Sequence, residues 1–268
     1  MNMLKVCGRI AAIAALVFTA VSCNTTNDSN PKLDLIPINS VTVDGYTISL
    51  ESVKELETGS NDLFWKIEQD GEIMTPQSVS INPIMDMGDM MHSTPYNQPE
   101  KAKEDDRYFK NMAVFIMPGG MMGSWSISFE ITLQNDEVIS GEMPIEVASS
   151  WRLTSVRDDN DNIYFITWHA PKTPVVGGND LTFMVHTRES MMNFPAVEDL
   201  EMEIYPYMDM GGGSGHSTDF TNPKASGDGL YEGSINYSMS GTWTTSVNLI
   251  AENDTLPEVV FEYSVRAE

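Results

Sequence analysis

Methionine is the residue type with the most chemistry to offer in this chain, at 19 of 268 residues. Two groups of it share one pattern. Met85-Asp86-Met87-Gly88 is followed by His92, and farther on Met117 precedes Gly123-Ser124-Trp125. Met208-Asp209-Met210-Gly211 is followed by His216, and Met239 precedes Gly241-Thr242-Trp243. Thioether sulfur is a soft, neutral donor that suits Cu(I), and imidazole is a compatible partner. Two Met at i and i+2 on a strand point to the same face. The candidate ligand sets are therefore Met85, Met87, His92 and Met117, and Met208, Met210, His216 and Met239, with Met90, Met91, Met121 and Met122 as spare thioethers. Neither set buries a charge before the ion arrives. The second set is expected to be the better one, because His216 hangs on a Gly-rich segment able to fold back over Met208 and Met210. A packing role competes with this. Met is a flexible apolar filler, and all these Met lie in phase with inward strand faces. On that view Asp86 and Asp209 solvate the outer face and the histidines sit in turns.

Little else in the chain points to chemistry. The two cysteines, Cys7 and Cys23, stand near the N-terminus, so the rest offers no disulfide, thiolate site or Cys nucleophile. Asp158-Asp159-Asn160-Asp161-Asn162 is rich in oxygen donors but lacks the Gly and distal Glu of a calcium loop, and reads as a solvated turn. Gly211 to Gly215 reads as a mobile loop, since no phosphate-binding Lys follows. His169 and His186 are expected at the surface or satisfied. No Gly-x-Ser-x-Gly elbow occurs, and no pair of acids stands out, so no enzyme activity is expected. The formal net charge of -24 leaves no basic face for nucleic acid.

The elements that must carry these residues read as β. Trp125, Ile127, Phe129, Ile131 and Leu133 alternate with polar residues, a period of two that marks a strand with one buried face. Trp243, Thr245, Val247 and Leu249 repeat it. Val79, Ile81, Pro83, Met85 and Met87 share one parity, as do Leu200, Met202, Ile204, Pro206, Met208 and Met210. The unit itself recurs. Val79–Gly88 and Met202–Gly211 agree at six of ten positions at an offset of 123. Asn61-Asp62-Leu63 answers Asn179-Asp180-Leu181, His92-Ser93-Thr94 answers His216-Ser217-Thr218, and Tyr108 answers Tyr231, all in order. About seven short strands per unit, split by Gly/Asn/Asp/Pro clusters, predict an all-β chain of two tandem immunoglobulin-like sandwiches, residues 41–148 and 149–268.

This pattern of Met-x-Met-Gly, a nearby His, a Gly/Tyr strand and Met-x-Gly-x-Trp resembles the YtkA-like domain, a family of small exported immunoglobulin-like domains. The second unit matches through Met208-Asp209-Met210-Gly211, His216, Gly229-Leu230-Tyr231-Glu232-Gly233 and Met239-Ser240-Gly241-Thr242-Trp243. The first matches through Met85-Asp86-Met87-Gly88, His92, Arg107-Tyr108-Phe109 and Met117-Pro118-Gly119. It lacks the Gly pair around the Tyr, and an insertion displaces Trp125. The resemblance implies the fold and an envelope setting more firmly than it implies copper.

The first residues supply an address. Lys5 and Arg9 precede the apolar run Ile10–Val21, too short for a transmembrane helix of ~20 residues but fitting a secretory leader. Ala20-Val21-Ser22-Cys23 resembles a lipobox, which implies cleavage after residue 22 and lipid on Cys23. Residues 23–40 then form a tether. The expectation is a lipid-anchored protein of the cell envelope, at the outer membrane or facing the periplasm, that handles Cu(I) without catalysis. The alternative is a non-catalytic interaction module for an envelope protein partner, with structural methionines.

Overall fold

The computed structural model describes residues 33–251 and 254–267. The leader, the lipobox with Cys23 and residues 23–32 of the tether lie outside the described residues. From Lys32 onward the chain forms one unit. Every regular element among the described residues is a strand, and no helix there is long and apolar enough to cross a membrane.

The first ten strands are β1 (Ile36–Val43), β2 (Tyr46–Ser52), β3 (Gly59–Gln69), β4 (Glu72–Ile73), β5 (Ser78–Asp86), β6 (Met91–His92), β7 (Glu100–Lys101), β8 (Phe109–Phe115), β9 (Ser124–Thr132) and β10 (Val138–Ile145). The second ten are β11 (Leu153–Arg157), β12 (Ile163–Ala170), β13 (Gly177–Thr187), β14 (Glu201–Gly211), β15 (Ser214–His216), β16 (Asp219–Gly227), β17 (Leu230–Tyr237), β18 (Gly241–Ala251), β19 (Asp254–Thr255) and β20 (Val259–Val265). Tight turns with Asp-Gly at both left-handed positions join β1 to β2, β3 to β4 and β16 to β17, through Asp44-Gly45, Asp70-Gly71 and Asp228-Gly229. These turns match the twist of paired strands.

The strands make two immunoglobulin-like sandwiches with the same topology. In sandwich one, a sheet of order β1-β2-β3-β8-β7 faces one of order β10-β9-β5-β6. In sandwich two, β11-β12-β13-β17-β16 corresponds to the first sheet, and β20-β18-β14-β15 corresponds to the second. The named strands pair antiparallel, isolated parallel bridges join Glu57 to Ala148 and Val175 to Arg266, and each sandwich has its own core. Trp125, Ile127, Phe129 and Ile131 of β9 are buried in one, and Trp243, Val247 and Leu249 of β18 in the other. The alternation read from the sequence is the inward and outward alternation of these strands.

The registers correct one pairing. Gly59 lies opposite Phe115 and Trp65 opposite Phe109, while Gly177 lies opposite Tyr237 and Phe183 opposite Tyr231. The counterpart of Tyr231 is therefore Phe109, not Tyr108. A slip of one residue reverses the face. Tyr108 packs with Phe64 and Ala102 outside the main core, whereas Tyr231 lies within the core of sandwich two.

The residues between the sandwiches are held closely. Thr58 N donates to the Ala148 carbonyl at 2.8 Å, and Ser150 donates two hydrogen bonds of 2.8 Å to Thr58, from its N to the Thr58 hydroxyl and from its hydroxyl to the Thr58 carbonyl. Arg152, 1% exposed, donates from Nε to Glu57 Oε1 at 2.7 Å. Burial pushes the Glu57 carboxyl up, but the hydrogen bond from Lys54 and the charge of Arg152 outweigh it and hold it below its ordinary value. Ile116 and Met117 of sandwich one pack with Leu153, Ile163, Phe165 and Phe194 of sandwich two.

Candidate functional site

The Met/His groups sit at equivalent ends of the two sandwiches, built by the same bonds. Met85 pairs across the strands with His92, and Met208 with His216. Each histidine Nδ1 lies against the carbonyl of the next residue, at 2.7 Å from Ser93 O and 2.9 Å from Ser217 O. Each following serine donates to a proline carbonyl, Ser93 to Pro83 at 2.9 Å and Ser217 to Pro206 at 2.7 Å. Each imidazole stands edge-on to a core tryptophan, 5.4 Å from Trp125 and 5.4 Å from Trp243. Each indole donates to a methionine carbonyl, Trp125 to Met117 at 3.0 Å and Trp243 to Met239 at 3.1 Å. Part of the repeated pattern is thus structural. The histidine ties a hairpin to the tryptophan, and Met117 and Met239 act there through backbone rather than sulfur.

The two ends differ in what surrounds them. In sandwich one, the segment Met191 to Phe194 of sandwich two closes over the end, and Ser93 N donates to the Met191 carbonyl at 2.8 Å. His92, Ser93 and Thr94 are all buried as a result. A cavity of about 260 Å³ remains, lined by Met87, Met90, His92, Met117 and Met191 among mostly apolar neighbours, with Ser155 and Arg188. Met85 belongs to the core beneath and does not line it. In sandwich two, His216, Ser217 and Thr218 are only half-buried. Met208 packs partly on the core, but Met210 is 61% and Met239 40% exposed. The second set, expected to be the better one, is thus the more open. The β14–β15 pairing shifts register between Asp209 and Gly211, so Met210 has no cross-strand partner and the inward alternation is broken there.

Met191 escaped the sequence reading, and His186 departs from it. Met191 comes from the connection between β13 and β14 and meets the first Met/His group only through the packing of the two sandwiches. His186 is buried, its Nδ1 has no partner, and burial pushes its pKa down to about 4. His169 lies 2.9 Å from the hydroxyl of Ser60. That Ser60 is 1% exposed, so its hydroxyl is committed to a junction contact. Asp158 accepts hydrogen bonds from Asn160 N and Asn162 N, which makes the acidic segment a closed turn. Among the described residues, no group of three or more His, Cys, Asp or Glu is placed to hold a metal ion.

Residues 158–248, covering most of sandwich two, match the family described as YtkA-like. No curated protein matches the chain. Among solved structures, domains 5–6 of the S-layer protein SbsC align at 14% identity and a TM-score of 0.31, over 87% of this chain and 98% of that one. A conserved domain protein from Bacillus anthracis aligns at 9% identity and a TM-score of 0.29, over 86% of this chain and 90% of that one. The Escherichia coli adhesin FdeC aligns at 14% identity and a TM-score of 0.26, over 85% of this chain and 66% of that one.

Proposed function

We propose that the protein is a non-catalytic binding module of the cell envelope, built from two YtkA-like units and held to a membrane by lipid on Cys23, with the free end of sandwich two as its docking surface for a protein partner. One observation carries this. The histidine at this structural end is buried beneath a neighbouring sandwich in the first unit, where Met90 and Met91 stay 50% exposed, and is only half-buried in the second, with Met210 61% and Met239 40% exposed. Tyr205, 53% exposed, stacks on Tyr207 on the same hairpin, with ring centroids 6.2 Å apart. Exposed Met and Tyr are the residue types that interfaces favour, because they offer large, adaptable contact area. A photo-reactive residue at Met210 in the full chain, in its native envelope, should give one discrete adduct, lost when Met239→Glu is added. The same probe at Val138, exposed on sandwich one, should give none. Equal labelling from both positions would argue against the docking surface.

The anchor is tested separately. Cys23→Ser should move the protein from the membrane fraction to the soluble one, and its retention in detergent extracts alone would refute lipidation. A soft metal has support of unequal weight at the two ends, since only sandwich one gathers its thioethers around a buried imidazole.

A further inference from the structure

We infer that the cavity between the sandwiches is a soft-metal site, for a monovalent ion of the Cu(I) or Ag(I) class, completed by Met191 of sandwich two. It lies away from the proposed docking end and stands or falls independently of it.

The orientation of His92 is the first support. A backbone carbonyl only accepts, so the 2.7 Å contact to Ser93 O requires the proton on Nδ1. In the neutral form of such a ring, Nε2 is the nitrogen that carries the lone pair. It is buried and has no hydrogen-bond partner, in a residue 3% exposed. Histidines that bind metals are commonly arranged this way, with the distal N–H fixed by a carbonyl and the other nitrogen left for the ion. Leaving such a nitrogen unsatisfied is costly to the fold unless something occupies it. His216, with the same ring contacts, stays half-buried. Burial of the His92 lone pair therefore follows from the packing of sandwich two over this end.

The donor set is the second support. Met87 and Met90 come from the β5–β6 turn, Met117 from the chain after β8, and Met191 from the other sandwich, and all line one cavity with His92. No carboxylate lines it, which disfavours hard divalent cations, whereas neutral thioethers and one imidazole select a soft ion. The neighbours Ile116, Ile163, Phe165 and Phe194 keep it apolar. One charged residue, Arg188, also lines the cavity, but its side chain is exposed at the rim, where solvent screens it.

The test uses the full chain with Cys7→Ser and Cys23→Ser, so that no thiolate competes for the ion. Anaerobic Cu(I) titration against bicinchoninate should show one ion per chain. Met191→Leu, and Met87→Leu with Met117→Leu, should each weaken binding by about tenfold or more, the range seen when a metal's shell is altered. Leu keeps the side-chain volume and so the fold. Met208→Leu with Met210→Leu should leave binding unchanged. Independently of any ligand variant, Ag(I) should shift the Nε2 nitrogen resonance of His92 while Nδ1 keeps its proton. Failure to compete with bicinchoninate, an unaltered affinity in Met191→Leu, or loss of the ion in the Met208/Met210 variant would each overturn the site.

Discussion

His92 and His216 show how one residue in one local geometry acquires two environments. Sequence spacing was enough to pair them and to place each beside two methionines. It did not show that the Nδ1 of each ring is held by the next carbonyl, nor which ring is buried. Burial of His92 comes from Met191, about a hundred residues away in the chain, and no local pattern encodes that contact. His186 was expected at the surface or satisfied, but it is buried with an unpartnered Nδ1 at the junction, where it lines a second cavity with His169. Its pKa of about 4 has a consequence for stability. Below about pH 6.5 the unfolded chain binds a proton that the folded chain refuses until about pH 4, so stability from this group is full at neutral pH and falls as the solution is acidified through that window. Between pH 7.5 and 5 the loss from His186 should be about 2 kcal/mol. Urea titrations of the parent and of His186→Leu at both pH values should differ by that amount, and equal pH dependence in the two proteins would contradict it.

At the scale of elements, the strands were the most legible feature. Alternation in β9 and β18 and the Asp-Gly pairs act locally, so they can be read locally. The Tyr108 pairing failed because similarity of type cannot settle a register, whereas the hydrogen-bonded ladder does. Met210 was placed inward by parity alone, and parity does not show the register shift between Asp209 and Gly211 that interrupts it. One further constraint sits two residues before each tryptophan. Gly123 and Gly241 both have positive φ, at 153° and 136°. A Cβ on Gly123 would lie 2.5 Å from the Asp86 carbonyl oxygen, backbone that cannot retreat. On Gly241 it would meet only the terminal methyl of Met208, which can swing aside. Gly123→Ala should therefore destabilise more than Gly241→Ala, by about 1–2 kcal/mol. Denaturant midpoints measure this, and equal losses would show that the two turns are not held as described.

For the whole molecule, the repeat was visible in the sequence, and the structure extends it to an identical order of strands in both sandwiches. What the sequence left unresolved was the junction. Residues near 148–152 read as a boundary, but Arg152 is among the most buried side chains, paired with Glu57 across it. The central claim is the resulting asymmetry, in which one Met/His end is closed over by its neighbour and its twin is open for a partner. Methionine oxidation reports this directly, because conversion to the sulfoxide follows access of the oxidant to sulfur. In the metal-free full chain treated briefly with hydrogen peroxide, peptide mass spectrometry should find Met210 and Met239 oxidised early, together with Met121 and the other exposed methionines, Met87 and Met117 more slowly, and Met85 among the last. Oxidation of Met87 and Met117 as fast as that of Met210 and Met239 would contradict the asymmetry and the account built on it.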